Sequence, residues 1–294
     1  MAYFAPDSRR LTLNFSQSFL PERRLLSLLL PFASANGGGD KVEIGASTGI
    51  PTGESSGKVE PMINYACAMG LIRADRVGSR WRLGLTTLGS LIAVEDPYLS
   101  ESVTLWLLHL LLCRRGGLGE PPTGVADAWF ALFAEGPHRL GARFSQSAYF
   151  DYLSDRHEAA SFLKGVSGLV LRSYVEPSCF GSINALTLES IGEENYYLRR
   201  SAPVERSHFP VYSAYLFTVW DELFSDLDQL ELGELFERSR CLAVIGWEKN
   251  TAARWLDWMV DKRLLQLDRQ TGGTIALRLH DTATVIGGVF DELT

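Results

Sequence analysis

Cysteine is scarce: four in 294 residues, Cys67, Cys113, Cys179 and Cys241, all far apart. No close pair exists to make a zinc knuckle or a redox motif, so the four are expected as reduced, buried thiols. The five histidines, His109, His138, His157, His208 and His280, lack metal-ligand spacing, and His157-Glu158 has no second histidine four residues after the first. The expectation is therefore no metal and no cofactor. Positive charge is also short, with 28 Lys and Arg against 35 Asp and Glu and a net charge of -7. That excludes a protein that coats nucleic acid indiscriminately, because such a protein needs a cationic excess to release counterions. Long apolar runs are missing too. The longest, around residues 25–32 and 105–113, fall far below the ~20 residues that cross a bilayer, and no cationic apolar leader opens the chain. A cytoplasmic protein with no membrane partner is expected.

What is present describes a folded protein. The composition, 46% hydrophobic, 11% aromatic and 21% charged, suits a globular chain, and the length suits two or three domains. Residues 41–85 read as short helix, polar turn, second helix and hairpin. In the second helix Val59, Met62, Ile63, Ala66 and Met69 or Gly70 follow the spacing of one apolar face, Pro61 fits its first turn, and Gly70 suits a left-handed end. The same order recurs near the C-terminus. Residues 230–236 read as a helix, Asn250 or Thr251 as the cap of a second helix whose face is Ala252, Trp255, Leu256 and Met259, and residues 264–279 as a hairpin. Trp247 and Trp258 are expected in the core. Between these units, 96–113, 126–134 and 149–172 read as helices, and 185–188 and 196–199 as strands, open to being a third, degenerate copy. The fold expected is mostly α with small β-hairpins, α+β. Residues 1–95 would form an N-terminal winged helix-turn-helix, 96–215 a helical middle region, and 216–294 a C-terminal winged helix-turn-helix.

A winged unit puts its second helix in the major groove of duplex DNA and its basic hairpin on phosphates. In the first unit the residues placed to do so are Ser55, Ser56, Lys58 and Asn64, with Arg76, Arg80 and Arg82 from the hairpin. In the last they are Lys249, Asn250, Thr251 and Arg254, with Arg269, Gln270 and Arg278. Charge is segregated accordingly. Residues 58–82 hold five basic residues against two acidic, and 249–280 hold six against three, whereas seven acidic residues crowd 221–237. One basic face on an acidic chain suits a DNA binder, although a charge run also serves as a plain solvated face.

Two strings imitate enzyme motifs. Gly53-Glu54-Ser55-Ser56-Gly57 matches the serine-hydrolase elbow but has no apolar strand before it. Residues 53–58 approach a phosphate loop, but the glycines are one residue too close and Val59 replaces the magnesium-binding hydroxyl.

Asp96-Pro97-Tyr98-Leu99, followed by Thr104-Leu105-Trp106-Leu107-Leu108-His109, resembles a bacterial family known only as domain of unknown function number four thousand and seven. Gly57-Lys58 leading into Ala68-Met69-Gly70-Leu71-Ile72, residues 86–91, Leu171-Arg172-Ser173-Tyr174-Val175 and residues 186–191 extend the likeness over most of the chain. The opening Phe15-Ser16-Gln17-Ser18-Phe19 is shorter than that family's opening motif and lacks its histidine. The resemblance implies a partner more than a reaction: such proteins are similar to those encoded beside DNA phosphorothioation enzymes and sulfonucleotide-reductase-like proteins in anti-phage islands. It brings no catalytic residues, and Trp106 and His109, which match it, lie on so apolar a helix that core packing is expected. The sequence thus points to a non-catalytic component that binds double-stranded DNA alongside other proteins of a modification or defence complex. A winged-helix interaction scaffold is the alternative, and an enzyme subunit with an unrecognised site the third reading.

Overall fold

The computed structural model describes residues 10–53, 57–158, 160–192, 194–225, 227–270 and 272–293. One plan occurs three times: a helix, a short strand, two helices (three in the last copy) and a hairpin whose second strand pairs with the short strand. The first copy is α1 (Arg23–Ser34), β1 (Gly38–Gly39), α2 (Lys41–Thr48), α3 (Val59–Ala68), β2 (Ile72–Val77) and β3 (Arg80–Leu85), followed by α4 (Thr87–Glu95) and α5 (Ser102–Leu112). The second begins with α6 (Asp127–Phe130), which passes through a π-helical turn, Ala131–Glu135, into α7 (Gly136–Arg139). It continues with β4 (Arg143–Ser145), α8 (Gln146–Arg156), α9 (Leu163–Ser173), β5 (Leu186–Ile191) and β6 (Glu194–Arg199). The third is α10 (Phe209–Leu223), β7 (Gln229–Glu231), α11 (Leu232–Ser239), α12 (Cys241–Ile245), α13 (Lys249–Asp261), β8 (Leu265–Gln270) and β9 (Gly273–Arg278), closed by α14 (Thr282–Gly287). The sheets run β1-β3-β2, β4-β6-β5 and β7-β9-β8, all antiparallel. The α+β class and the small hairpins are those expected, and the middle region repeats the plan in full.

A shared piece of chemistry starts the first helix after each short strand. Asp40, Ser145 and Glu231 each turn a side-chain oxygen onto the backbone N–H three residues on, and Glu43 returns a bond to the Asp40 N–H. Each satisfies N–H groups that the helix itself leaves unpaired. Those bonds hold the Asp40 and Glu231 carboxyls below the usual range, through the N–H of Glu43 in the first case and of Gly233 in the second. The hairpins hand over in the same way: Thr86 caps α4 and Asp281 caps α14. Gly89 is required where α4 starts, because a Cβ there would sit 1.8 Å from the Leu71 carbonyl oxygen.

Some expected boundaries move, each for a local reason. Residues 229–231 are strand, so the helix expected from 230 starts at Leu232. The helix expected from 96 starts at Ser102, because the Asp96 carboxylate gathers the N–H groups of Ser100 and Glu101 into a turn. The stretch 149–172 is two helices. Asn250 and Thr251 stand in the first turn of α13 and do not cap it; the N-cap is Glu248.

The core is one continuous apolar cluster from Phe15 to Val289. Helix α5 is buried from Val103 to Leu112, which is what a helix with no polar face must be, and it packs on α10, buried from Phe209 to Trp220. Helix α4 packs on α14, so the elements that follow the first and third hairpins meet.

Among the polar side chains buried in this core are Arg114 and His109. Arg114, just beyond α5, is fully buried; its Nε lies 2.8 Å from Glu222 Oε2 of α10, and its Nη1 donates to the carbonyls of Leu111 and Ala68. Burial pushes the Glu222 carboxyl up and the Arg114 charge draws it back. His109 is equally buried, caged by Trp106, Phe133, Tyr174 and Phe180, with Nδ1 2.6 Å from the Tyr174 hydroxyl and 3.5 Å from Cys113 Sγ. The core roles expected of Trp106 and His109, and of Trp247 and Trp258, are the ones they occupy.

Breaking a buried ion pair strands the remaining charge, so Arg114→Met should cost about 3–5 kcal/mol in denaturant unfolding, and Arg114→Met with Glu222→Leu should cost clearly less. Equal losses in the two would contradict the pairing. The second test uses pH. Burial lowers the His109 pKa from 6.5 to about 3, so between those values the unfolded chain takes up a proton that the folded chain refuses. This contribution is complete above the ordinary histidine pKa and is lost as pH falls. His109→Phe should flatten the fall in unfolding free energy across that window; an unchanged slope would place the titration elsewhere.

Candidate nucleic-acid interface

In the third unit the sequence places an amphipathic helix on a buttress of aromatic rings. Helix α13 buries Ala252, Trp255, Leu256, Trp258 and Met259. Trp255 donates its indole N–H to Ser213 Oγ (3.0 Å), and Trp247, just before the helix, donates to the Ala202 carbonyl (2.9 Å). Those bonds fix the helix axis, and the opposite face is left in solvent: Lys249, Asn250, Ala253, Arg254 and Asp257 are exposed and Thr251 half-buried. The cations and the amide lie in the N-terminal half, where a groove-reading helix makes its base contacts. Beside it, Arg269 on β8 is exposed and pairs with Asp257 at 3.1 Å, which links the hairpin to the helix by a bond weak enough to exchange for another anion. Gln270 ends β8. Arg278 departs from the expected hairpin surface. Its guanidinium turns inward over the Trp220 ring and pairs with Asp221 and Asp228, with the side chain only 10% exposed. It is a strut of the unit.

The first unit is built differently. Helix α3 buries Val59, Pro61, Met62, Ile63, Tyr65, Ala66 and Ala68, and only Glu60, Asn64 and Cys67 reach its outer stripe. That stripe is only partly exposed. It floors a cleft walled by the hairpin on one side and by residues 10–15 on the other. Lys58 is committed to Glu22 at 2.5 Å. The hairpin cations are exposed, with Arg76 bound to Glu60 (2.6 Å) and lying 4.8 Å above the Trp81 ring, Arg80 bound to Glu43 (2.9 Å), and Arg82 in solvent. Ser55 and Ser56, at the centre of the elbow-like string, lie outside the described residues. The two end units thus share a topology but not a surface: α13 offers a free polar face, and α3 does not.

The hairpin of the middle unit is acidic, with Glu194 at its turn and Glu189 drawing in Arg143 (3.3 Å) and Arg200 (3.7 Å). That unit also holds a titratable cluster that spacing alone did not reveal. Asp127 takes bonds from Arg156 Nε (2.7 Å) and Nη2 (2.9 Å), and His157 Nε2 stands 2.8 Å away. Burial alone would raise the Asp127 pKa, but the hydrogen bonds and the guanidinium charge hold it far below the usual carboxylate range. With Arg156 also bonded to the Pro122 carbonyl, the cluster ties the end of α8 to the start of α6. Its members are 29 residues apart in sequence, which is why no motif announces them. Among the described residues no group of three His, Cys, Asp or Glu side chains is placed to hold a metal ion, and no helix is long and apolar enough to cross a membrane.

No family model matches the chain. No curated protein matches it either. Among solved structures it is similar to magnesium ion-bound SspB, with 16% identity, a TM-score of 0.71, and coverage of 99% of this chain and 90% of that one. A second SspB structure gives 18% identity, a TM-score of 0.69, and coverage of 95% and 87%. At this identity the likeness is one of fold: nearly the whole chain, all three units included, follows the SspB architecture.

Proposed function

We propose that this chain is a DNA-binding, non-catalytic component of a bacterial DNA-modification or anti-phage system of the phosphorothioation kind. In this reading its third unit acts as the winged helix-turn-helix that meets the duplex. The observation that carries the proposal is the exposed N-terminal half of α13, where Lys249, Asn250 and Arg254 stand free of the core that Trp255 and Trp258 anchor. Thr251 flanks them, and Arg269 and Gln270 bring the hairpin to the same side in this account. Arg80 and Arg82 of the first hairpin supply phosphate contacts, for which the Arg80–Glu43 pair opens at little cost because both partners are exposed. The sequence resemblance to the domain-of-unknown-function family and the SspB fold lean towards the same phosphorothioation context, and other proteins of such a complex are the expected partners.

A scaffold that docks proteins is the second reading. The observation favouring it is a pair of large apolar side chains left in solvent after the first hairpin, Val94 at 75% and Tyr98 at 78% exposure.

Anisotropy titrations on a ~30 bp duplex separate the two. DNA binding predicts affinity that falls steeply with salt as phosphates displace counterions. Arg80→Ala with Arg82→Ala should weaken all sequences alike, whereas Asn250→Ala or Arg254→Ala should cost about 1–3 kcal/mol on a preferred site and less on random DNA. No complex on any duplex at low salt, plain or phosphorothioated, would sink the DNA reading; loss of a protein partner on Tyr98→Ser would then favour the scaffold.

A further inference from the structure

We infer that Asp257 is the specificity-determining residue of the α13 face, a carboxylate that accepts a hydrogen bond from the exocyclic amino group of one cytosine in the duplex. The inference rests on the DNA reading above and names what that surface selects. An α-helix repeats its surface at steps of three and four residues, and the exposed stripe of α13 follows those steps as Asn250, Ala253, Arg254 and Asp257. The same intervals bring a helix lying in the major groove against successive base edges. Ala253 is short, so the stripe presents an amide, a guanidinium and a carboxylate. The first two suit a polyanion. The third does not, and it needs a reason.

Arg269 on β8 donates from Nη2 to Asp257 Oδ1 at 3.1 Å, so the hairpin reaches this side of the helix and occupies one acceptor position of the acid. A carboxylate has about four such positions, and the pair stays open to solvent, with Asp257 at 64% and Arg269 at 72% exposure. The acid can therefore take a second donor while Arg269 steadies it. Against the phosphates of a duplex it meets only negative charge and weakens binding. In the major groove it meets donors of one kind, the amino groups of cytosine and adenine. Adenine carries the N7 acceptor beside its amino group, which repels a carboxylate, whereas cytosine has only a C–H there. Guanine and thymine place a carbonyl oxygen against it. Cytosine is the base that fits, and the acid penalises the others as much as it rewards this one. If Asp257 served only to tie β8 to α13, its loss would affect all sequences alike.

The test selects bound duplexes from a randomised library with the full-length protein and sequences them. The parent should enrich a site in which one position is held by cytosine. Asp257→Ala should lose the preference at that position, keep the others, and bind random duplex more tightly than the parent does. The contact is then tested at the atom concerned. On the selected duplex, replacing that cytosine by the 2-pyrimidinone deoxynucleoside, which is cytosine without its amino group, should weaken the parent about ten-fold and leave Asp257→Ala unaffected. Asp257→Asn keeps the shape and adds a donor, so it should admit guanine or thymine at the position. Because both members of the Asp257–Arg269 pair are exposed, denaturant unfolding should keep its midpoint in each variant, which separates a lost contact from a lost fold. A parent that binds duplex but enriches no cytosine position would overturn the inference alone. So would a cytosine preference that survives Asp257→Ala, loss of every preference together, or equal losses of parent and Asp257→Ala on the 2-pyrimidinone duplex. Failure of the parent to bind any duplex would overturn it together with the reading on which it rests.

Discussion

A single guanidinium holds the end units in their relation. Arg114 leaves the end of α5 and reaches the last turn of α5 itself, the carbonyl that ends α3, and the Glu222 carboxylate on α10. A charge in an apolar core is tolerable only when it is paired and hydrogen-bonded, so these three partners are required together. The next residue repeats the arrangement on the other side of the chain. Arg115 is also buried, with bonds to the carbonyls of Gly117, Gly119 and Arg238, and thus ties the loop after α5 to the end of α11. With the first unit joined to the third at these points, α4 is brought against α14 and the two hairpins they follow are fixed relative to each other. The DNA proposal needs this rigidity, because a hairpin that grips phosphates and a helix that reads bases must hold one spacing.

The helices and hairpins were legible wherever apolar spacing or a capping residue announced them. Val59, Met62, Ile63 and Ala66 gave α3, Ala252, Trp255, Leu256 and Met259 gave α13, and Gly70, at φ 70°, ends the first of these as a glycine there should. The repeated device of Asp40, Ser145 and Glu231 is visible in the sequence only once the strands before them are known. What stayed hidden depends on long-range contact. Nothing local in Arg114-Arg115 announces that both side chains are buried. Arg278 alternates correctly for an outward hairpin residue, yet Asp221 and Asp228, about fifty residues earlier in the chain, draw it inward. Helix α3 has the pattern of a reading helix, and nothing in that pattern tells that residues 10–15 will cover its outer stripe.

This difference between α3 and α13 is the main divergence between the two end units. A repeated plan would make the two ends equivalent, but the outer stripe of α3 lies at the floor of a cleft and is only partly exposed, whereas that of α13 is a polar face in solvent. The acidic middle hairpin adds nothing to an anion-binding surface, so in this account the basic contacts concentrate at the two ends of an otherwise acidic chain.

Hydrogen exchange read by mass spectrometry, with and without a saturating duplex, tests the central claim most directly. The account predicts that DNA slows exchange in the first turns of α13 and along β8 and β9, with a smaller effect at the turn between β2 and β3, and none at the acidic turn between β5 and β6. Protection confined to the middle unit, or no change in α13 under conditions where the duplex is bound, would contradict it.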